Sequence, residues 1–545
     1  MKNYNCFGVM LDCSRDAVMK PEEVKKFGAL VKKMGYDSIM LYTEDTLEVK
    51  NEPLFGYMRG AYTADEIKDM DEYLKSIGIE LMPCIQTLAH FTNLIKLPEY
   101  KKLVDINDVL MIDEPRTYEL IDNIFATLAA NFSSRTVNIG MDEAHGVGLG
   151  KYFDKHGLVD RTELLLRHLN KVCDIAKKYG FKPVMWSDMF FRLATHGEYS
   201  ADGVEFSDDV KKLVPENLSL AYWDYYRTQK SDYDKMIEAH QKFGREIWFA
   251  GGAWCWSGFG PKNKYSLHTM IPAMQSVKEH GIKNVIITMW GDNGKECSFY
   301  SMLPSLYKIA KTAEGITDEA EIKAGFEEIV GVSYDDFMLA DLPQLRSVTD
   351  DGSRCETICK SLTYTDPFMG KFDRALKKIG KIDYMLYAVL LSEQAEKQRK
   401  SGIEYAYVFD YLAKLCSFLE LKYDLGIKTR NAYDKKDKQE LMRLAKETYP
   451  EAIKRLKVFH ESFEYLWHKE NKSFGFEVHD ARLGGVMQRL ETCSKQLERY
   501  ASGKIESIDV LEKPLLHEWD EDVINWNVYG ECFTYGSADW PSWML

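Results

Sequence analysis

The feature that most constrains the fold is a repeated alternation of short apolar runs with amphipathic segments over about the first 310 residues. Eight runs have the composition of strands: 6–13, 37–43, 79–87, 136–143, 182–188, 218–225, 246–254 and 284–291. Helical patterns lie between most of them, at 21–34, 64–77, 115–131, 161–179, 231–243 and 267–280. Eight apolar strands separated by crossover helices are typical of a (β/α)8 barrel, the TIM barrel. The sequence therefore predicts an α/β fold of this type.

Proline and glycine mark the ends of the predicted helices. Pro21 suits a first helical turn, and helices should stop at Gly35, Gly180, Gly244 and Gly281. A doubly wound open sheet is the alternative fold, and such a sheet would be expected to carry a glycine-rich phosphate loop after an early strand. No such loop follows an early strand here, so the barrel is favoured. The weakest part of the pattern is the poorly periodic connection between the fifth and sixth strands.

The chain changes character after the barrel pattern ends. We predict a barrel over residues 1–312 and an α-helical C-terminal region over 313–545, in which long helical stripes of Leu, Tyr and Ile recur. The tail at 519–545 is dense in aromatic residues. Because exposed apolar patches of that size are unusual, we expect the tail to pack on a core.

Charge and cysteine content restrict the partners and the compartment. The chain has 85 acidic and 71 basic residues, a net charge of −14, which disfavours nucleic acid and anionic membranes. No apolar segment approaches the roughly 20 residues that span a bilayer. The chain has eleven cysteines, an odd number, and the sequence starts without an apolar signal segment. We therefore expect a soluble cytoplasmic protein with no nucleic-acid or membrane partner, and we consider a homodimer.

Charged residues and tryptophans accumulate where the predicted strands end, which is where barrel enzymes place their sites. Asp142 and Glu143 stand out, because they terminate an apolar run and two carboxylates at the mouth of a buried strand are costly to desolvate. The other rim residues are Asp12, Ser14, Arg15, Tyr42, Glu44, Asp45, Gln86, His90, Trp186, Asp188, Tyr222, Trp223, Asp224, Tyr225, Tyr226, Trp254, Trp256, Trp290, Asp292 and Asn293.

Tryptophans combined with carboxylates are typical of a pyranose pocket. Indole rings stack on the apolar faces of sugars, while Arg, Asp and Glu bind the hydroxyls. Ordinary glycoside hydrolysis uses two opposed carboxylates several Å apart. Asp142 and Glu143 are neighbours and cannot easily straddle a scissile bond. They fit a mechanism in which one acid protonates the leaving oxygen and the other orients a nucleophile that belongs to the substrate.

The segment 138–144 reads NIGMDEA and resembles the Gly-x-Asp-Glu signature of family 20 glycoside hydrolases, the β-N-acetylhexosaminidases. Segment 11–15, LDCSR, resembles the family's first-strand arginine motif, and segment 83–90, PCIQTLAH, resembles the third-strand segment that ends in the site histidine. The resemblance covers residue 6 to about 310 and is strongest at 136–146. Many members carry an α/β domain before the barrel, and we expect a form that lacks it.

The resemblance implies a retaining exo-β-N-acetylhexosaminidase that removes terminal β-linked N-acetylglucosamine or N-acetylgalactosamine through an oxazolinium intermediate. Glu143 would be the general acid and base, and Asp142 would hold the N–H of the 2-acetamido group. The partner would be a glycan or glycoconjugate, with neither cofactor nor metal. Sugar contacts would come from Arg15, Asp45, His90, Trp186, Trp223, Tyr225, Trp254, Trp290 and Asp292.

Departures from the family pattern leave alternatives open. The family supplies a tyrosine, in a Trp-Tyr-x-Asp context, for the acetamido carbonyl, whereas segment 254–257 reads WCWS. Tyr225 or a neighbour is the candidate for that role. One alternative is a carbohydrate-binding barrel without catalysis. Another is a metal-dependent barrel enzyme that uses Asp142, Glu143, His90 and His145.

Overall fold

A closed barrel of eight parallel strands forms the first part of the protein. The computed structural model describes residues 4–256 and 258–515. Their strands are β1 Cys6–Asp12, β2 Ser38–Tyr42, β3 Glu80–Cys84, β4 Val104–Ile106, β5 Val109–Leu110, β6 Thr136–Asn138, β7 Lys182–Trp186, β8 Ser219–Trp223, β9 Ile247–Gly252 and β10 Asn284–Met289. The barrel closes in the order β1-β10-β9-β8-β7-β6-β3-β2, and β4 pairs with β5 in a separate sheet. The predicted (β/α)8 barrel is confirmed.

Alternate residues of each strand face the barrel interior, as the pleat of a strand requires. On β1, Met10 points into the barrel, whereas Val9 and Leu11 pack outward under the helices. The next inward positions, such as Asp12 on β1 and Trp223 on β8, therefore come at the carboxyl ends of the strands. The interior cluster contains Cys6, Met10, Met40, Tyr42, Met82, Cys84, Val184, Trp186, Ala221, Trp248, Ala250 and Ile286.

Helices surround the barrel, and the predicted helix ends are visible in the structure. Pro21 occupies the first turn of α1, Gly35 ends it in the left-handed conformation, and Thr63 and Glu66 form a capping box at the start of α2. The poorly periodic connection after β7 holds two short helices, α7 and α8. The helices are α1 Pro21–Met34, α2 Ala64–Ser76, α3 Pro98–Lys101, α4 Pro115–Asn131, α5 Lys151–His156, α6 Arg161–Lys178, α7 Asp188–Ala194, α8 Asp208–Leu213, α9 Lys230–Gln241, α10 Asn263–Glu279 and α11 Leu303–Glu314, with 3₁₀ turns at Leu94–Lys96 and Phe299–Met302.

The C-terminal region is helical throughout its described part, as predicted. Helices α16, α17, α20 and α21 pack in succession against one another. The helices are α12 Glu319–Val330, α13 Tyr334–Met338, α14 Ile358–Tyr364, α15 Asp373–Ile379, α16 Tyr384–Lys400, α17 Ala406–Lys422, α18 Leu425–Asp434, α19 Lys438–Arg443, α20 Tyr449–Glu470, α21 Phe476–Ala501 and α22 Asp509–Glu512, with a 3₁₀ segment at Leu339–Gln344 and a π-helical segment at Leu444–Thr448. The boundary at 312/313 stays a prediction, and the aromatic tail lies outside the described residues.

The helical region is joined to the barrel by backbone and side-chain contacts. The Lys20 N–H donates to the Glu470 carbonyl at 3.0 Å, and the Lys472 N–H donates to the Val18 carbonyl at 2.8 Å. The Lys472 ammonium pairs with Glu66 at 2.7 Å. The connection between α20 and α21 is therefore attached to the loop after β1 and to the start of α2. Among the described helices, none combines the length and the apolar character needed to cross a bilayer.

Candidate active site

A cavity of about 490 Å³ opens at the carboxyl ends of the barrel strands. Its position is that of the site in TIM-barrel enzymes. Nine of the eleven site residues predicted from the sequence line this cavity, and Asp45 and Trp254 do not. The wall consists of Arg15, His90, Asp142, Glu143, Trp186, Trp223, Tyr225, Tyr226, Trp256, Trp290 and Asp292.

The segment after β6 turns two successive acidic side chains into this cavity. The run at 136–143 looks like one strand in the sequence, but strand geometry ends at Asn138. Gly140, Met141 and Glu143 have φ values of 72°, 72° and 51°, so the backbone leaves the pleat. In a continuing strand, neighbouring side chains would point to opposite faces. The left-handed turn removes this alternation, and Asp142 and Glu143 therefore share one cavity.

Gly140 is required in this turn for a second reason. A Cβ atom there would lie 2.1 Å from Oε1 of Gln86 and 2.8 Å from the Ile85 carbonyl oxygen. Gln86 accepts the Met141 N–H at 3.2 Å through the same oxygen. The glycine of the Gly-x-Asp-Glu segment thus makes room for the amide that holds the turn.

Asp142 is held as an ionised carboxylate by two partners. Gln86 donates its Nε2 hydrogen to Oδ1 at 2.8 Å, and Nε2 of His90 lies 3.1 Å from Oδ2. Burial opposes ionisation of the acid, but the His90 charge and these hydrogen bonds outweigh it and lower the pKa of Asp142. Burial likewise disfavours charge on His90, yet the neighbouring carboxylate raises its pKa to about 10. The two residues form an imidazolium–carboxylate pair.

A hydrogen-bonded chain extends from Asp142 to Arg15 across the pocket floor. The second Nε2 hydrogen of Gln86 goes to the Tyr42 hydroxyl at 2.9 Å, and Tyr42 donates to Glu44 at 2.9 Å. Glu44 in turn lies 3.2 Å from the Arg15 guanidinium. Burial raises the pKa of Glu44 to about 7, with Arg15 opposing the shift. The position of Arg15 is therefore linked to that of Asp142 through buried groups.

Glu143 is more accessible, with 43% of its side chain exposed. Its N–H donates to Asp188 Oδ2 at 3.1 Å, and its carboxylate lies 3.5 Å from Arg192. Arg192 also donates to Asp188 at 2.8 Å. Burial, followed by the charge of Asp142, raises the pKa of Asp188 to about 7. Sequence reasoning missed Arg192; the only signal was its spacing of four residues from Asp188 on α7.

Aromatic rings form one side of the cavity. Trp186 and Trp290 meet with ring centroids 6.0 Å apart, and Trp223 stacks on Tyr225 at 5.4 Å with an interplanar angle of 18°. Tyr225 is buried, and burial raises its pKa well above the usual range. Tyr226 stands at the rim with 56% of its surface exposed. The wall offers flat apolar faces with one buried phenol among them, which suits a sugar ring.

Asp45 and Trp254 lie behind the wall and support residues that form it. Asp45 pairs with Arg59 at 3.3 Å, and Arg59 also donates to the Ser14 carbonyl next to Arg15. Trp254 stacks on Trp256 with centroids 4.0 Å apart and donates its indole N–H to the Tyr225 carbonyl at 3.0 Å. Trp256, rather than Trp254, faces the cavity.

Arg15 and Asp292 complete the polar side of the cavity. Burial raises the pKa of Asp292 to about 6, and the Arg15 charge opposes this shift. Burial disfavours charge on Arg15, but Glu44 and other acidic neighbours outweigh it and raise the Arg15 pKa well above its usual value. Among residues 4–256 and 258–515, no group of three or more His, Cys, Asp or Glu side chains is arranged to hold a metal ion.

Two family models match the chain. Residues 21–240 match the catalytic domain of glycosyl hydrolase family 20, and residues 335–526 match the Glycoside Hydrolase 20C C-terminal domain. The chain belongs to glycoside hydrolase family 20. The resemblance seen at 138–144 is confirmed. The family 20 catalytic match includes His90, Gly140, Asp142 and Glu143. The C-terminal match covers most of the helical region.

Individual relatives of this family 20 chain are distant. Human hexosaminidase D is 21% identical over 328 residues, covering 57% of this chain and 64% of the relative. A beta-hexosaminidase of Vibrio furnissii is 31% identical over 186 residues, covering 30% of this chain and 29% of the relative. The chain thus matches less than two thirds of the length of either relative. A crystal structure of a beta-N-acetylhexosaminidase aligns over 62% of this chain and 77% of its own, with a TM-score of 0.47 and 15% identity.

Proposed function

We propose that this protein is a retaining exo-β-N-acetylhexosaminidase, which hydrolyses terminal β-linked N-acetylglucosamine or N-acetylgalactosamine with help from the substrate's own acetamido group. The convergence of Asp142 and Glu143 in one cavity carries the proposal. Nε2 of His90 lies 3.1 Å from one carboxylate and 3.8 Å from the other. Both acids therefore reach the same side of a bound sugar, which suits substrate-assisted hydrolysis rather than a pair that flanks the bond.

Asp142 has the charge and the partners needed to orient the acetamido group. Gln86 and His90 fix its carboxylate, and its lowered pKa keeps it ionised. An ionised carboxylate accepts the amide N–H, which turns the carbonyl oxygen toward the anomeric carbon. The same negative charge stabilises the positive oxazolinium ring that forms. Holding the nucleophile in place converts a bimolecular step into an intramolecular one, worth roughly 7–11 kcal/mol in well-oriented systems.

Glu143 has the accessibility needed for proton transfer. In the first step the acetamido oxygen bonds to the anomeric carbon, the bond to the leaving oxygen breaks, and that oxygen takes the proton of Glu143. In the second step Glu143 removes a proton from water, water bonds to the anomeric carbon, and the oxazolinium ring opens. Two inversions give retention. Arg192, at 3.5 Å, orients the Glu143 carboxylate.

The rest of the cavity would bind the sugar ring. Trp186 and Trp290 offer an apolar wall, and Arg15 and Asp292 offer charged partners for hydroxyls. The buried hydroxyl of Tyr225 is the best-placed donor for the acetamido carbonyl, since the 254–257 segment supplies no tyrosine.

Turnover of an aryl N-acetyl-β-glucosaminide tests the proposal. Glu143→Gln should abolish release of the phenol and leave the fold intact, whereas Glu163→Gln, a substitution of an exposed acid on α6, should act like the wild type. A Glu143→Gln variant that keeps most of its activity would reject the assignment. Binding of N-acetylglucosamine without turnover by the wild type would favour the carbohydrate-binding alternative, and activity lost on chelation would favour the metal-dependent one.

Compartment and assembly remain part of the proposal. The net charge of −14 and the odd number of cysteines favour a cytoplasmic protein whose partner is a glycan, not a nucleic acid. Cell fractionation tests the location, and light scattering of the purified chain tests the homodimer.

A further inference from the structure

The loop after β10, residues 291–296, is held in an unfavourable backbone conformation. Asp292 of this loop lines the cavity. The next three residues, Asn293, Gly294 and Lys295, have φ values of 58°, 118° and 52°. Two of them are not glycine, and left-handed conformations of such residues persist only where surrounding structure holds them. The loop therefore depends on the contacts that its neighbours supply.

Helix α21 of the C-terminal region supplies two of those contacts. The Arg482 guanidinium donates to the Asn293 carbonyl at 2.8 Å and to its side-chain oxygen at 2.9 Å. Nε2 of His479 lies 2.8 Å from the Gly294 carbonyl oxygen. Burial lowers the pKa of His479 to about 3, so the imidazole is neutral and donates a single N–H to that carbonyl. His479 and Arg482 are three residues apart and share one face of the helix.

Lys360 of α14 supplies a third contact, to the same Asn293 carbonyl that Arg482 reaches. Its ammonium lies 2.6 Å from the Glu296 carboxylate and donates to the Asn293 carbonyl at 2.8 Å. Both charged side chains are almost fully buried, at 0% and 1% exposure. The Arg482 guanidinium lies 3.8 Å from the same Glu296 carboxylate, so two cations from the helical region share one buried acid of the loop. Breaking a buried ion pair is strongly destabilising, so these contacts fix the loop firmly.

The same part of the helical region also touches the loop that carries Arg15. A Cβ atom on Gly475, the residue before α21, would lie 2.3 Å from the Asp16 carbonyl oxygen. The Lys472 N–H donates to Val18 at 2.8 Å. The two charged residues proposed to bind sugar hydroxyls thus lie on loops that the helical region contacts: the α20–α21 connection contacts the loop of Arg15, and helix α21 contacts the loop of Asp292.

We infer that Arg482, His479 and Lys360 are positioning residues that set Asp292 for contact with a sugar hydroxyl, so that the helical region is part of the substrate site. This inference rests on the proposed function. It predicts that the helical region acts on substrate affinity, because hydroxyl contacts are made in the ground state and the transition state alike.

Steady-state kinetics of Arg482→Met, Arg482→Lys and the control Arg455→Met test the inference. Arg455 is also on an α-helix of the C-terminal region, but it contacts Ser417, Glu420 and Glu451. Arg482→Met should raise KM about tenfold or more with kcat changed less than threefold, and Arg482→Lys should recover part of this loss. Arg455→Met should leave both constants unchanged. A KM for Arg482→Met within twofold of the wild type would overturn the inference.

A double-mutant cycle and hydrogen exchange separate positioning from general stability. If Arg482 acts through Asp292, then Arg482→Met should add little to the KM of Asp292→Asn, because the two changes remove the same contact. Additive effects would contradict the inference. Amide exchange of peptides covering 291–296 should accelerate in Arg482→Met and not in Arg455→Met, and equal exchange would refute it. Exchange needs no substrate, so it remains decisive if the wild type shows no turnover, which is the result that would refute the proposed function.

Discussion

Replacing Gly140 by alanine tests the turn that brings the two acids together. An alanine at φ 72° costs roughly 1–2 kcal/mol relative to an ordinary backbone conformation. Its Cβ would lie 2.1 Å from Oε1 of Gln86, so that side chain must move. Gln86 would then lose its contact with Asp142, a hydrogen bond to a charged group worth roughly 1.5–3 kcal/mol. We expect the free energy of unfolding to fall by about 2.5–5 kcal/mol.

The kinetic effect follows from the same contact. Loss of the Gln86 hydrogen bond, worth about 1.5–3 kcal/mol, should misplace the Asp142 carboxylate. We therefore expect kcat/KM to fall by roughly 10- to 100-fold. Urea unfolding followed by circular dichroism measures the stability, and aryl glucosaminide turnover measures the rate. Gly180→Ala is the matched control, because Gly180 has φ 77° with nothing within 4 Å of its Cβ position. Gly180→Ala should lose only the roughly 1–2 kcal/mol of unfolding free energy that the backbone conformation costs, and it should keep full activity. A Gly140→Ala variant indistinguishable from Gly180→Ala would show that Gly140 is not needed to hold Gln86 and Asp142 in place.

Three further predictions concern single side chains in the cavity or in contact with a residue that lines it. The pKa of His90 is raised from 6.5 to about 10, so its pairing with Asp142 should stabilise the fold fully below about pH 6.5 and be lost as the pH rises through 10. The difference between the urea midpoints of the wild type and of His90→Gln should shrink over that range. A difference that stays constant with pH would contradict the pairing. Arg192→Met should lower kcat/KM roughly tenfold, with partial recovery in Arg192→Lys, and an unchanged rate would remove its role in orienting Glu143. Tyr225→Phe should lower kcat roughly tenfold or more if its hydroxyl binds the acetamido carbonyl, and a rise in KM alone would not fit that role.

Barrel architecture and most cavity residues could be predicted because both depend on local patterns. Strand composition and helix-ending glycines repeat along the chain, and residues at strand ends gather at one rim whatever the loops do. Asp142 was identifiable because an acid that ends an apolar run must be paired or used. His90 was identifiable by its place after the third strand.

Asp45 and Trp254, which do not line the cavity, and the contacts that the sequence did not reveal depend on loops and on layers that sequence periodicity does not describe. Arg59, the partner of Asp45, lies in an irregular loop fourteen residues away. The sequence around Asp45 therefore did not show whether this acid binds a sugar or pairs with an arginine. Trp254 and Trp256 both follow β9, and only the folded structure shows that Trp256 lines the cavity while Trp254 stacks behind it. The contact of Arg482 with Asn293 joins residues 189 positions apart.

The nucleophile is tested most directly by a series of aryl N-acetyl-β-glucosaminides in which one, two and three fluorine atoms replace the acetamido methyl hydrogens. Fluorine withdraws electron density from the carbonyl oxygen, so kcat/KM should fall progressively across the series. The matched aryl β-glucoside, which has no acetamido group, should react roughly a thousandfold more slowly. A flat series, or a sugar ester on the protein detected by intact-mass spectrometry, would contradict attack by the acetamido oxygen.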